Sequence, residues 1–242
     1  MKTNMRRVAR LAAFTLAAAM AHGAHAATTV LAMDSLPTAQ GWTYGSCYWG
    51  CLVPAAEDAW VADGASLSLH AYHGAQGFSV TNFSLPWAVD PTLPFTIDTT
   101  LRIVSSSGTF FYLGASTATQ SVFVGLSTSA LQVESTAGGA SSVLDAAVFH
   151  DYQIAAEPGG MVTVKVDGAT VYAGVEAWLT IDPHTSPNSI EFGDGGSGVY
   201  GTAVMTRYSF TQTAAVPEPA GLTLMAAGLA ALLWRRRSAA QR

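Results

Sequence analysis

The sequence predicts an all-β sandwich held between a removable leader and an apolar tail closed by arginines. Three features predict it. From Leu67 onward, short runs of β-branched and aromatic residues are separated by Gly, Ser, Asn and Pro; the N-terminus reads basic, then apolar, then small; and the C-terminus ends in an apolar stretch closed by arginines. Little of the central chain repeats at the helical period, whereas alternation at period two is frequent, as in half-buried strands.

At the N-terminus, Met1 to Arg10 is basic, Leu11 to Ala21 is apolar and Ala-rich, and Ala24-His25-Ala26 places small residues at the −3 and −1 positions a signal peptidase reads. Cleavage is expected after Ala26, which makes residues 1–26 a signal peptide with a helical apolar part. Residues 27–213 then form one domain, within the usual range of about 50–250 residues.

Inside that domain Phe95, Ile97, Leu101 and Ile103 share one strand face, as do Val122, Val124 and Leu126, and then Tyr152 and Ile154. Val162, Val164 and Val166 lead into Asp167-Gly168 and out through Thr170-Val171-Tyr172. This is the strongest hairpin signal, because Asp-Gly tolerates the positive φ angles of a two-residue turn. Later strands are expected over 189–192 and 202–210. No internal repeat stands out.

The tail, residues 214–242, opens with Val216-Pro217-Glu218-Pro219, which breaks regular structure, and continues with the apolar run Ala220 to Trp234 and the stop Arg235-Arg236-Arg237. Those fifteen apolar residues rise only about 22 Å as a transmembrane helix, short of the ~30 Å hydrocarbon core. The span is a marginal anchor that relies on snorkelling arginines or local thinning. Clustered arginines stay on the cytoplasmic side, so the preceding domain lies across the membrane, in agreement with the leader.

Charge is distributed unevenly. Of the eleven Lys and Arg residues, four lie in the first ten residues and four in the last eight, leaving Arg102, Lys165 and Arg207 between residues 27 and 213 against fifteen acids. An acidic domain of this kind repels phosphate backbones, which excludes a nucleic-acid partner.

The tail resembles the PEP-CTERM sorting signal of Gram-negative bacteria on Pro217, Glu218 and Pro219, the short helix and the arginine cluster. That resemblance implies processing by an exosortase, after the signal peptidase, and transient anchoring in the inner membrane facing the periplasm. Release to the cell surface or matrix follows, in the company of exopolysaccharide in biofilm-forming species. The domain resembles the concanavalin A-like lectin/glucanase superfamily. The likeness rests on Phe149-His150-Asp151-Tyr152-x-Ile154 leading to Val164-Lys165-Val166-Asp167-Gly168, and on Ile190-Glu191-Phe192-Gly193-Asp194. Gly41-Trp42-x-Tyr44 and Ala59-Trp60-Val61-x-Asp63-Gly64 are similar to the early part of such domains in PEP-CTERM proteins. It implies a jelly-roll sandwich, with Trp42 and Tyr44 packing in the fold.

Glucan-cutting enzymes of that superfamily resemble one another in a Glu-x-Asp-x-Glu strand, which this sequence lacks. Glu57 and Asp58 are adjacent and would face opposite ways in a strand, and Glu191 and Asp194 read as lying across a turn. There is no Gly-x-Ser-x-Gly elbow and no His-Glu-x-x-His. Gly193-Asp194-Gly195-Gly196-Ser197-Gly198 satisfies the spacing of a dinucleotide loop but precedes a strand rather than a helix, and is read as a hairpin turn. His70 and His73, three apart on a strand, point to opposite faces; His150 and His184 complete the set. No resident cofactor or metal is expected. Ca²⁺ is the one ion left open, through Asp167, Asp182 and Asp194 near turns.

Cys47 and Cys51 are the only cysteines; in an oxidising compartment they are expected to form a disulfide. The short loop they close carries Tyr48 and Trp49, whose rings either stack on a ligand or fold back onto the sandwich. These readings lead to an expectation that the chain is not an enzyme: an exported surface or matrix protein with a lectin-like domain contacting exopolysaccharide. A divergent glycan hydrolase or lyase and a structural matrix component without ligand are the alternatives.

Overall fold

Alternation of apolar and polar residues builds the strands, and the computed structural model describes residues 26–45, 53–71, 81–87, 89–90, 93–136, 138–157, 160–181, 187–194 and 199–213. The strands are β1 Ala26–Val30, β2 Thr43–Tyr44, β3 Trp60–Ala62, β4 Leu67–Ala71, β5 Thr81–Pro86, β6 Phe95–Ser106, β7 Phe111–Ser116 and β8 Gln120–Leu126. They continue with β9 Ala130–Val133, β10 Ala140–Val143, β11 His150–Ala156, β12 Val162–Val166, β13 Ala169–Gly174, β14 Leu179–Thr180, β15 Ser189–Asp194 and β16 Gly201–Thr213. Two short helical turns, Pro37–Gln40 and Ala56–Ala59, precede the long strands. Glu57 and Asp58 therefore sit in a helical turn instead of the strand used to test them.

The strands assemble into two antiparallel sheets. The first has the order β13-β12-β11-β6-β16-β4-β3, with β1 also on β16; the second has the order β10-β9-β8-β7-β15-β5-β2, with β14 on β8. This is the jelly-roll sandwich the sequence predicts. Chain neighbours often lie apart in the sheets, so β15 returns to pair with both β7 and β5. That long-range return brings Glu191 onto the same sheet as β7 and β8.

Residues Ala27–Gln212 make up one compact unit. Its core holds every face picked out by alternation: Phe95, Ile97, Leu101 and Ile103 on β6, Val122, Val124 and Leu126 on β8, and Val162, Val164 and Val166 on β12 are all buried. At its centre an aromatic cluster joins the sheets. Trp60 lies 5.1 Å from Phe83 and 5.7 Å from Phe192 between ring centroids, and Phe192 lies 5.0 Å from both Trp42 and Tyr208. The buried Trp60 indole N–H donates to the Thr81 carbonyl at 2.8 Å, which gives its one polar atom a partner.

Two backbone features fix the registers. In β16 the register shifts between Met205 and Arg207. Gly201, Ala203 and Met205 are buried before the shift and Tyr208, Phe210 and Gln212 after it, so one extra residue moves the inward set from odd to even numbers. In the β12–β13 hairpin Asp167 and Gly168 hold φ angles of 50° and 80°, the conformation the Asp-Gly pair predicts. Among the described residues no helix is long and apolar enough to cross a membrane; the sorting tail lies outside them.

Candidate functional site

The two sheets turn unlike outer faces away from the core. On the first, alternation directs Asp98, Thr100, Arg102, Gln153 and Lys165 outward, and some of them form hydrogen bonds on that face. Gln153 Nε2 donates to Asp98 Oδ1 at 2.9 Å, and Arg207 Nη2 and the Thr100 hydroxyl donate to Asp151 Oδ1 at 3.1 and 2.5 Å. It is an ordinary solvated face. On the second, the residues opposite in sense to Phe83, Leu113, Val122, Val124 and Phe192 point outward, yet Ser84, Ser116, Ser121 and Ser189 are buried. Larger neighbours cover the small side chains of that outer face.

Two rings furnish it. Tyr112 on β7 pairs with Gly125 on β8, and Phe123 on β8 pairs with Gly114 on β7. A Cβ added at Gly114 would stand 2.1 Å from Phe123 Cδ1, and one at Gly125 would stand 2.9 Å from Tyr112 Cε1. Each ring thus covers the glycine across from it, and the pairs form a checkerboard of aromatic and bare backbone.

Polar groups flank the rings. The Glu134 N–H donates to the Phe123 carbonyl, which places Glu134 beside Phe123, while Glu191 pairs with Gly114 from the other side. One row across the sheet therefore reads Glu134, Phe123, Gly114, Glu191, Ser84, and the next reads Gln132, Gly125, Tyr112, Gly193, Asn82. Burial holds the Glu134 carboxyl above the usual carboxylate range. Burial, and then the charges of Glu134 and Asp194, push the Tyr112 phenol up. The Ser189 hydroxyl donates to Glu191 Oε1 at 2.8 Å. Asn82 Oδ1 and Ser116 Oγ are buried with no hydrogen-bond partner among the described residues. Flat apolar rings beside carboxylate, amide and hydroxyl groups offer a pyranose both a surface to stack on and partners for its hydroxyls.

The residues singled out in the sequence scatter. Cys47, Tyr48, Trp49 and Cys51 lie outside the described residues, as do Pro217, Glu218, Pro219, Arg235, Arg236 and Arg237 of the tail, and His73, Asp182 and His184. Ala26 is the first residue of β1. Trp42 is buried in the core and Tyr44 packs against it. Glu191 and Asp194 share strand β15 instead of lying across a turn, and Asp194 is fully buried. His150 caps the β12–β13 turn, its Nδ1 2.6 Å from Asp167 Oδ2 and its Nε2 2.8 Å from the Asp145 carbonyl. Among the described residues no three His, Cys, Asp or Glu side chains converge to hold a metal ion.

Sequence reasoning missed Tyr112, Phe123 and Glu134. A signal existed: Tyr112-x-Gly114 and Phe123-x-Gly125 repeat an aromatic-x-Gly pattern on two consecutive strands. Only the antiparallel register sets each ring against the other strand's glycine.

Compared with known proteins, the sandwich is recognisable by fold, and the tail by motif. Residues 215–237 match the PEP-CTERM protein-sorting motif. The chain is therefore an exported protein that carries an exosortase sorting signal and is held transiently at the membrane for sorting. No curated protein matches the chain in sequence. Among solved structures it is similar to a glycosidic hydrolase (TM-score 0.56, 14% identity, 78% of this chain and 97% of that one). It is similar too to the Bacillus licheniformis β-glucanase (TM-score 0.55, 13% identity, covering 77% and 97%). A third is the laminarinase from Rhodothermus marinus (TM-score 0.54, 14% identity, covering 78% and 98%).

These neighbours correct the expectation that the chain is not an enzyme. That expectation rested on the lack of known catalytic motifs, but the sandwich is one on which glucan hydrolases are built. Catalytic groups can come from different strands of a sheet, where no linear motif records them.

Proposed function

We propose that this exported protein takes a polysaccharide chain along the outer face of its second sheet. The observation that carries the reading is the pairing of Tyr112 and Phe123 over Gly125 and Gly114, which supports two sugar-stacking platforms on adjacent strands. A protein sorted to the surface or matrix meets exopolysaccharide there, and the shared fold of glucan hydrolases is consistent with a saccharide ligand.

A hydrolytic reading is favoured by one further observation: Glu134 and Glu191 flank the platform on a single row. Three strand spacings of ~4.8 Å put their backbones about 14 Å apart, so an inverting step requires the bound chain to draw the carboxyls to the ~6.5–9.5 Å separation of an inverting pair. Glu134, kept protonated more readily by burial, gives its proton to the departing glycosidic oxygen. Glu191 takes a proton from the water whose oxygen bonds to the anomeric carbon.

The test measures retention on immobilised β-glucan and release of reducing ends in parallel. Tyr112→Ala with Phe123→Ala is expected to abolish retention, at about 1–3 kcal/mol per stacked ring, the range seen for aromatic stacking on flat ligands. Glu134→Gln is expected to bind normally and release about 100-fold fewer ends. Full retention by the double alanine variant refutes the binding face; undiminished turnover by Glu134→Gln refutes its role as acid.

A further inference from the structure

We propose that the outer face of the first sheet holds a separate saccharide site, in which Arg102 takes the carboxylate of a uronate residue. It lies on the other sheet from Tyr112 and Phe123 and does not depend on the reading of that platform.

Stacking fixes the guanidinium. Alternation along β6 turns Arg102 outward between buried Leu101 and Ile103, and its Cζ stands over the Phe149 ring, 4.9 Å from the centroid. Within about 6 Å such a pair is attractive. A guanidinium held over a ring keeps its N–H groups in its own plane, where a planar carboxylate meets two of them at once.

No acid of the described residues uses that fork. Arg207 Nη2 donates to Asp151 Oδ1 at 3.1 Å. Asp151 Oδ1 also accepts from Thr100, and Asp98 accepts from Gln153. Lys165 stands two strands away on β12. Arg102 itself makes no hydrogen bond or ion pair among the described residues, and its Nε is buried without a partner. A partly desolvated cation without a counter-ion carries a cost that an arriving carboxylate offsets.

The surroundings of the fork suit a sugar. Val104, Val148 and Phe149 are exposed, and Val204 pairs with Arg102 across β16. Apolar side chains around a charged fork match an anion carried on a body with apolar C–H faces. Thr100 precedes Arg102 by two residues on β6, Ser68 pairs with Val204 and Thr202 lies two residues before it, which places hydroxyls on the same face for those of the sugar. An acidic peptide would bring the carboxylate but few groups for these hydroxyls. Charge density is limited from the other side: fifteen acids against three cations between residues 27 and 213 repel a dense polyanion. A charge acts over only about 8 Å at physiological salt, so the fit is to a chain whose uronates are spaced by neutral sugars.

The experiment uses the full chain in neutral detergent at about pH 7, where a carboxyl is ionised. Two probes are titrated: an octasaccharide of alternating glucuronate and glucose, and the same octasaccharide with its carboxyls reduced to give glucose. Tyr112→Ala with Phe123→Ala is titrated in parallel to remove the second-sheet platform. In both proteins the acidic probe is expected to bind about tenfold tighter than the reduced one at about 20 mM salt, and the gap to close at about 0.5 M. Arg102→Gln loses charge and fork, and Arg102→Lys keeps the charge alone; each should cut the gap to under about threefold. Lys165→Gln should leave the gap unchanged. Retention on neutral β-glucan reads the second sheet separately: Arg102→Gln should keep it, and its loss in the double alanine variant leaves the Arg102 site standing. Equal affinity for the two probes in the unaltered protein, or an undiminished gap in Arg102→Gln, overturns the site. Binding of a peptide with one glutamate among valines, without binding of the acidic probe, overturns the saccharide. The paired titrations on the unaltered protein decide the matter even if Arg102→Gln does not fold.

Discussion

Gly114→Ala tests the platform through its packing. A Cβ there would meet Phe123 Cδ1 at 2.1 Å, Phe123 Cε1 at 2.4 Å and the Val122 carbonyl oxygen at 2.6 Å. The ring could rotate away, but the carbonyl is part of the β8 backbone and cannot. Overpacking of this kind costs about 1–3 kcal/mol, offset by about 0.4–1 kcal/mol because alanine restricts the unfolded chain more than glycine does. At the middle of both ranges the net is a loss of about 1.3 kcal/mol, or roughly 3–5 °C in Tm for a domain of this size. Gly125→Ala is the control: its Cβ would meet the Thr109 methyl at 2.5 Å and the edge of Tyr112 at 2.9 Å. Both are side-chain atoms able to swing aside, so its net effect should stay within about 0.5 kcal/mol. In a Phe123→Ala background the ring contacts vanish, and the cost of Gly114→Ala should fall by about 0.5–1 kcal/mol, a coupling a double-mutant cycle reads directly. The assay is urea unfolding paired with retention on immobilised β-glucan. Gly114→Ala should lower both, because the displaced ring no longer presents its face. Unchanged stability together with unchanged retention would refute the placement of Phe123 over Gly114.

Two further outcomes concern stability alone. Burial lowers the pKa of His150, but the Asp167 hydrogen bond, the Asp145 carbonyl and the Asp167 charge outweigh it and leave the imidazole above its ordinary value, while His150 and the Asp151 N–H hold the Asp167 carboxyl below its own. The His150 contribution is therefore complete below about pH 6.5 and fades as pH rises through the raised value; that of Asp167 is complete above about pH 4 and fades as pH falls through the lowered one. Because Asp167 is largely exposed, His150→Asn should remove no more than about 1 kcal/mol and flatten the alkaline limb of the stability profile; an unaltered limb contradicts the assignment. Trp60→Phe removes the indole N–H that satisfies the Thr81 carbonyl and opens space in a residue that is 1% exposed. Chemical denaturation should register a loss of about 2–4 kcal/mol, and a loss under about 1 kcal/mol would show that this bond contributes little.

Much of the framework was legible in the chain. The inward faces of β6, β8, β11 and β12 follow from alternation because a strand's side chains strictly change sides at each residue. The Asp167-Gly168 turn follows because few other pairs accept two positive φ angles. β16 escaped the same treatment: a single extra residue near Thr206 changes the parity of everything after it, and nothing in the local pattern marks that shift. The early strands β1 to β3 escaped too, being short, with their residues held by distant partners such as Phe83, Leu69 and Tyr208.

The sequence by itself determined that this protein is exported and sorted, since the sorting motif at residues 215–237 is a linear signal read along the chain. It also determined the sandwich, because period-two alternation requires two sheets to bury their apolar sides against each other. The tertiary structure alone decided the site. Phe123, Gly114 and Glu191 come from three strands and Glu134 from the residue just past a fourth, and β15 reaches its place between β7 and β5 only after the chain has laid down seven of the eight strands of the other sheet. No local spacing can record such a row, because its members become neighbours through the hydrogen bonds between strands.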